Sequence, residues 1–288
     1  MLLVAAIAFS RARQHEIHIL HSVCERYDIP EWLLVKLVIY AYVLAFFLLT
    51  WEAMVDLSLV DPVLLASPSQ AISKIPSVAG EASHQLASTF LGVGIAFVIA
   101  TIIGVSLGIV IGSRRYLYEV SDPIIVSFYS VPKVLFLPLF IVWIGIGLEA
   151  RILYAAYAGV FPVVINTITA VREISPNYIY YARTSGATTR QILLKVIIPS
   201  IVPMLLTGLR LALAIIMTSV LLAEMYMPFS GIGSLIVRFA QTLSAPELYA
   251  SIIMMAFISA TLVLSILVVE GHFNKWRRKG LELAPIRF

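Results

Sequence analysis

Apolar positions in this chain come in long unbroken blocks, with the polar residues gathered between them. Six blocks, at roughly 33–55, 86–112, 123–147, 152–171, 203–225 and 248–270, reach the ~20 apolar residues that an α-helix needs to cross a bilayer. Those at 86–112, 152–171 and 248–269 hold no charged residue. The others carry isolated charges: Lys36, Lys133 and Arg210 within the runs, and Glu52 and Glu224 near helix ends. The pattern predicts an all-α, polytopic membrane protein with six transmembrane helices.

Three connections have character of their own. Residues 56–85, with SPSQAISKIPS in the middle, predict a surface loop holding a short helix. In the connection at 226–247, Gly231 and Gly233 precede the apolar SLIV, which suits a short half-buried or re-entrant helix. Irregular backbone at that depth is tolerated only where it is packed in protein or lines a water-filled cavity. The third connection, 176–200, opens on Ser175-Pro176-Asn177, a helix-start signal. Helical spacing then runs to Ile197 but meets Gly186, which costs about 1 kcal/mol against alanine inside a helix. A sharp turn between two short helices accounts for that glycine, and Pro199 and Pro203 open the next span. On physical grounds alone, a docking knob and an ordinary solvated loop remain equally open.

Composition narrows the class. The chain of 288 residues is 60% hydrophobic and 12% charged, about half the ~25% charge of soluble domains. Its mean hydropathy is +0.97, so a bilayer is its natural solvent. The pI of 9.2 raises the question of nucleic acid. The basic residues, however, lie at the edges of apolar runs without interleaved aromatics, which argues against a nucleic-acid partner. The single cysteine, Cys24, excludes an internal disulfide framework. The opening MLLVAAIAF is too short to span and lacks a basic flank, so it reads as neither signal peptide nor span.

Charge also sets orientation, because Lys and Arg accumulate in cytoplasmic connections. With the N-terminus inside, the inner segments hold fourteen: Arg11, Arg13, Arg26, Arg114, Arg115, Arg172, Arg183, Arg190, Lys195, Lys275, Arg277, Arg278, Lys279 and Arg287. The outer ones hold three, Lys74, Arg151 and Arg238. Both termini and the 176–200 loop are therefore expected in the cytoplasm of a bacterial-type plasma (inner) membrane. The expected organisation is a cytoplasmic segment at 1–32, a membrane domain at 33–275 and a cytoplasmic tail at 276–288. Residues 14–29, with Ile17, Leu20, Val23, Cys24 and Tyr27 at helical spacing, are expected to lie along the membrane face.

Few residues suggest chemistry. His15, His18, His21 and Cys24 recur every three residues, but each step drifts about 60° around a helix, so all four cannot share one face. A solvated polar face accounts for them and no metal site is assigned. Lys133 and Arg210 lie within spans, a flag for function along a pathway. Against that, Arg210 lies about two turns from the cytoplasmic end and can snorkel to the surface, while Lys133 follows the helix-bending Pro132. Glu224 is expected to be paired structurally, the alternative being that it steadies a gate formed by Gly231 and Gly233. Gly104, Gly108 and Gly112 form a small-xxx-small ladder, expected to pack within the subunit rather than between subunits.

The segment Ala182-x3-Gly186-x9-Val196-x-Ile198-Pro199 resembles the signature loop of ABC importer permeases, EAA-x3-G-x9-I-x-LP. The resemblance extends over roughly residues 60–279. DPIIVSFYSVPKVLFLPLFIVWIGIG (122–147), GVFPVVIN (159–166), GLRLALA (208–214), LLAEM (221–225) and GIGSLI (231–236) are similar to the branch importing taurine, alkanesulfonates, nitrate or bicarbonate. It implies the type I importer permease fold and a translocation pathway for a small, anionic solute delivered by an extracytoplasmic binding protein. It also implies two ATP-hydrolysing subunits, which carry the ATP and Mg, and a second permease copy, giving a homodimer. The docking residues it implies are Tyr181, Ala182, Arg183, Gly186, Ala187 and Pro199; Tyr180 and Tyr181 stand where the family has Glu and Ala, so docking lacks that acidic residue. Lys133, Arg210, Glu224, Gly231 and Gly233 are the pathway and gate candidates.

The chain holds no G-x-x-x-x-G-K-[ST] phosphate loop and no H-E-x-x-H, so it is not expected to be an enzyme. The competing reading is a self-sufficient secondary transporter or channel for a small anion. Such carriers need acidic or unwound sites near the midplane, and the charge-free second, fourth and sixth spans offer none. The substrate itself is not legible.

The orientation has a direct test. In intact cells, Thr188→Cys should resist a membrane-impermeant thiol reagent, whereas Ser77→Cys should label above the parent chain. The reverse pattern would invert the topology.

Overall fold

The computed structural model describes residues 31–61 and 63–282, and among them the regular structure is entirely helical. The amphipathic segment 14–29 with His15, His18, His21 and Cys24 lies outside the described residues, as does the tail beyond 282. The chain divides into two units, up to Ile72 and from Ser73 onward.

In the first unit, helix α1 (Glu31–Asp56) is followed by a turn and by the start of helix α2 (Pro68–Gly112). Glu52, near the end of α1, accepts a hydrogen bond from the Ser69 amide at 3.1 Å. That places a carboxylate at the positive end of the α2 dipole. The Trp51 indole donates to the Ala66 carbonyl at 3.0 Å.

Helix α2 corrects the expected loop at 56–85, because it begins at Pro68 and runs for 45 residues. Pro68 suits a first turn, where its missing N–H is not needed. Pro76 lies inside the helix. Farther along, Val78 and Ala82 pack against Leu235, Phe239 and Ala250, and this tertiary packing outweighs a weak local signal.

In the second unit, helix α3 (Arg115–Ser130), a 3₁₀ turn (Lys133–Phe136) and helix α4 (Leu137–Ile144) follow. The single span expected over 123–147, with Pro132 as a bending residue, is a pair of helices bent by 89°. Pro132 cannot donate to a continuing helix and disfavours a helical conformation in the residue before it. Among the described residues, five helices are long and apolar enough to cross a membrane, or six if the bent pair counts as one. Then come α5 (Leu148–Arg172), α6 (Pro176–Thr184), α7 (Thr189–Ile192), a π-helical turn (Leu193–Ile197), α8 (Ile198–Tyr226), α9 (Ile232–Gln241) and α10 (Ala245–Glu282).

Helix α5 is the most buried of the spanning helices, and glycines explain how it can be. A Cβ added at Gly104 or Gly108 of α2 would come within 2.6 Å of Val163 or 2.5 Å of Thr167, and one at Gly112 within 3.0 Å of Val171. The ladder at i, i+4, i+8 therefore lies directly along the matching ladder on α5, within the subunit. On the other flank, Gly159 of α5 meets Ile216 of α8, and Gly208 of α8 meets Asn166 of α5. Apolar side chains gain little by leaving lipid for one another, so close backbone approach supplies the adhesion instead. The bent pair rests on the same helix through rings: Phe136 and Phe140 lie 5.2 and 5.7 Å from Tyr157, and Phe140 lies 5.8 Å from Tyr154.

This packing predicts that Gly108→Val destabilises the fold by about 1–3 kcal/mol, the usual cost of overpacking. Gly94→Ala, where nothing lies within 4 Å of the added carbon, should be neutral or slightly stabilising. Thermal unfolding midpoints in detergent would separate the two, and equal midpoints would show that the ladder does not limit packing.

Candidate functional site

The 176–200 segment forms two short helices around one glycine. Ser175 caps α6, with Pro176 in its first turn. At its far end the Gly186 amide donates to the Arg183 carbonyl at 2.9 Å and the Ala187 amide to the Ala182 carbonyl at 3.0 Å. These two bonds make a Schellman motif, which needs a left-handed residue at the turn. Gly186 supplies it with φ of +78°. Thr188 then starts α7 with a reciprocal capping box to Gln191, whose side chain accepts from the Thr188 amide at 2.8 Å. Two end motifs back to back leave the chain no freedom in the turn.

The second short helix is not separate from the next span, as the sequence suggested. It runs through the π turn into α8, where the Ile198 amide reaches back to the Leu193 carbonyl. Pro199, in the first turn of α8, lacks an N–H, and its ring clashes with a carbonyl four residues back. The wider turn absorbs both problems.

Of the docking candidates, Tyr181 is 66% exposed, next to Tyr180 at 64% and Tyr178 at 62%. Arg183, Gly186 and Pro199 are exposed, and Ala182 and Ala187 are half-buried. Ile179 and Arg183, one turn apart on α6, also line a cleft beneath the loop.

At the opposite end of the bundle lies a buried polar knot. Glu224 has no exposure, and its carboxylate accepts from the Thr89 hydroxyl at 2.8 Å, the Gly233 amide at 3.0 Å and Arg151 at 3.1 Å. Arg151, only 4% exposed, also donates to the Ser230 carbonyl and hydroxyl, both at 2.9 Å. The Gly231 amide donates to Gln85 at 2.7 Å and the Ile232 amide to Thr89 at 3.1 Å. Three successive amides at the start of α9 are thereby satisfied by three side chains, with a carboxylate at the positive end of the helix.

The glycines of this end are steric requirements. Gly231 has φ of +97°, and an added Cβ would lie 2.0 Å from the Glu224 carboxyl carbon. One at Gly233 would lie 2.6 Å from the Glu224 Cβ. The structure thus brings Glu224, Gly231 and Gly233 together, and adds Arg151, Thr89, Gln85 and Ser230, which sequence reasoning did not single out. Arg151 carried one usable signal: a cation in the first turn of a helix opposes the macrodipole and calls for an anion.

Lys133 and Arg210 lie apart from this knot and from each other. The Lys133 ammonium donates to the carbonyls of Phe128, Tyr129 and Val131 at 2.9, 2.8 and 2.9 Å, which closes the end of α3 at the bend. Arg210 pairs with Glu270 of α10 at 3.2 Å, and Thr207 donates to the same carboxylate at 2.9 Å. This partner replaces the expected snorkelling, because Glu270, at the end of the predicted span 248–270, lies within reach of Arg210. A cavity of about 400 Å³ lies between the bend, α5 and α8, bounded by Lys133, Tyr154, Thr218 and Ser219.

Apolar helices of membrane-spanning length, a broken span at a cavity and charges consumed in internal pairs define a polytopic translocation subunit. Residues 100–279 match the family described as binding-protein-dependent transport system inner membrane component, and the chain belongs to it as a permease subunit of an ABC importer in the inner membrane. It is 28% identical over 240 residues to the taurine transport system permease protein TauC of Escherichia coli, covering 81% of this chain and 87% of that one. It is 27% identical over 149 residues to the nitrate import permease protein NrtB of a Synechocystis species, covering 52% and 54%. An inward-facing structure of the MetNI methionine ABC transporter has a similar fold, with a TM-score of 0.54, 22% identity and coverage of 66% of this chain and 93% of that one.

Removing one member of a buried ion pair costs about 3–5 kcal/mol, because the other charge is stranded. Glu224→Gln should therefore lower the unfolding midpoint sharply, and adding Arg151→Met should restore part of the loss. Strictly additive effects in the double variant would mean that the two residues are not coupled.

Proposed function

We propose that the chain forms half of a homodimeric translocation pathway for a small anionic solute, driven by two ATP-hydrolysing subunits docked on the 176–200 loop. ATP and Mg belong to those partners, and an extracytoplasmic binding protein delivers the solute. Both termini and the docking loop face the cytoplasm on this reading, in keeping with the distribution of Lys and Arg.

The observation that carries the reading is the turn at Gly186. A Schellman motif joined to a capping box holds α6 at a fixed angle to a helix that continues without a break into a membrane span. A push on α6 is thus transmitted to α8 rather than dissipated in a loop. The exposed Tyr178, Tyr180 and Tyr181 offer rigid aromatic contacts where the signature loop has an acidic residue. Closure of the partners around ATP would tilt α8, and with it the glycine-locked α2 and α5, to switch the path between its two faces.

The dimer reading is supported by a stripe on α8. Leu211, Ala214, Thr218 and Met225 recur every three to seven residues and are exposed, although the opposite face of the helix is buried. This stripe continues into the cavity at the bend, where Ala214 and Thr218 form part of the wall. Two copies facing each other across α8 would enclose that cavity as the path. The anionic nature of the solute rests on the taurine and nitrate permeases among the relatives. The secondary-transporter alternative loses ground, because Lys133, Arg151, Arg210, Glu224 and Glu270 are all engaged internally.

Gly186→Val places a β-branched residue at a positive φ that it resists. The chain should still insert, since no span changes, but co-purification of the ATPase should fall by tenfold or so, with transport and substrate-stimulated ATP hydrolysis falling together. The wild-type complex should hold two permease copies to two ATPases. Lost transport with normal ATPase binding and stimulation would refute the docking role, and a single permease copy per complex would refute the dimer.

A further inference from the structure

Beneath the 176–200 loop, on the side away from the exposed tyrosines, lies a cleft of about 660 Å³. That volume falls within the ~300–1,000 Å³ typical of ligand sites. Its rim carries four arginines from three separate parts of the chain: Arg114 and Arg115 at the start of α3, Arg172 at the end of α5 and Arg183 on α6. No acidic residue lines it, and the rest of the wall is largely apolar, including Val171, Ile174 and Ile197.

The arginines are not equivalent. Arg115 pairs with Glu119 at 2.7 Å on an exposed surface. The Arg172 guanidinium is stacked 3.8 Å from the centre of the Tyr118 ring, which fixes its plane but leaves its donors unused. Arg114 and Arg183 have no charged or hydrogen-bonding side-chain partner among the described residues. All four are solvent-exposed, and the donors of Arg114, Arg172 and Arg183 are open to an anion entering the cleft. Guanidinium recognises phosphate through paired N–H donors.

Position identifies the source of that anion. The cleft opens where α2 ends at Gly112 and α5 at Arg172, which is the level at which spanning helices leave the hydrocarbon. A cationic rim over an apolar wall at that level fits an amphiphile with a negative head and fatty chains. We infer that this cleft binds the headgroup of an anionic phospholipid, with the phosphate held between Arg114, Arg172 and Arg183. The lipid fills the space behind the docking loop and braces α6 against α3 and α5. This inference does not depend on the ATPase docking there, because the cleft faces away from the tyrosine surface.

The test uses the full chain, purified with its ATPase and stripped of lipid, and titrated with short-chain phosphatidylglycerol, short-chain phosphatidylcholine or free glycerol phosphate. Native mass spectrometry counts the bound molecules. Phosphatidylglycerol should bind saturably and phosphatidylcholine weakly, with Arg114→Gln and Arg172→Gln each lowering affinity about fivefold, the usual effect of one basic residue near an anionic headgroup. Arg190→Gln removes the same charge from the loop outside the cleft and should leave affinity unchanged. Equal binding of the two lipids, or equal losses in all three variants, would overturn the site. Glycerol phosphate binding as tightly as the lipid would overturn the lipid assignment and leave a soluble anion in its place. A loss of ATPase co-purification in Arg114→Gln with lipid affinity unchanged would show the cleft to be a protein-docking surface.

Discussion

Within a bilayer no solvent stands by to hydrogen-bond a stranded amide or to screen an isolated charge. At three places among the described residues, a departure from a plain apolar helix is answered from inside the protein. At the bend after α3, three carbonyls freed by Val131 and Pro132 converge on the Lys133 ammonium. At the start of α9, the amides that have no helical partner are met by Gln85, Thr89 and Glu224. Where Pro199 would leave a gap in the helical ladder, a π turn shifts the pairing by one residue. In the first two cases a polar residue that looks functional in the sequence, Lys133 or Glu224, is first of all repairing the backbone.

That double duty explains what could be read in advance. The number and rough places of the apolar helices followed from composition, because hydropathy over 20 residues is a coarse and robust signal. The turn at Gly186 was also legible, since a glycine inside a helical pattern that opens on Ser-Pro-Asn is accounted for by a turn between two short helices. The length of α2 was not. Its first turns look like loop sequence; Glu52 meets the Ser69 amide at the start, and contacts with residues more than 150 positions away hold the turns around Val78 and Ala82. The knot at Glu224 was half legible: an acid near a span end demanded a partner, but nothing local chose Arg151 over Arg238. Long-range pairing leaves no mark at sequence distances of 73 residues.

The arrangement of glycines has a mechanical consequence. Helix α5 is locked to α2 on one flank and to α8 on the other by contacts too close to slide, since each backbone meets side-chain atoms with no spare space. Interlocked surfaces of this kind move as one body or not at all. The polar knot ties the start of α9 to the same body through Arg151 of α5 and Glu224 of α8. If partners dock at the Gly186 turn as proposed, a push there would have a stiff path to the far end of the bundle, some eight helical turns along α8 from Ile198 to Tyr226.

The same economy bears on how a solute on the proposed path would be handled. Free cations along a path would bind an anion tightly and slow its release, whereas conduction needs sites weak enough to leave. Here Lys133, although it borders the cavity at the bend, directs its donors to carbonyls, and Arg210 is neutralised by Glu270. What remains at the cavity wall is almost wholly apolar, with Val134, Ala214, Ile215 and Leu222 beside the buried Tyr154 and Ser219, and the Thr218 hydroxyl donates to the Ala214 carbonyl at 3.0 Å. A wall of that kind offers few polar contacts by which one small solute could be told from another. On the proposed function, selection would then rest on groups other than this wall, and the wall would do little more than line the path.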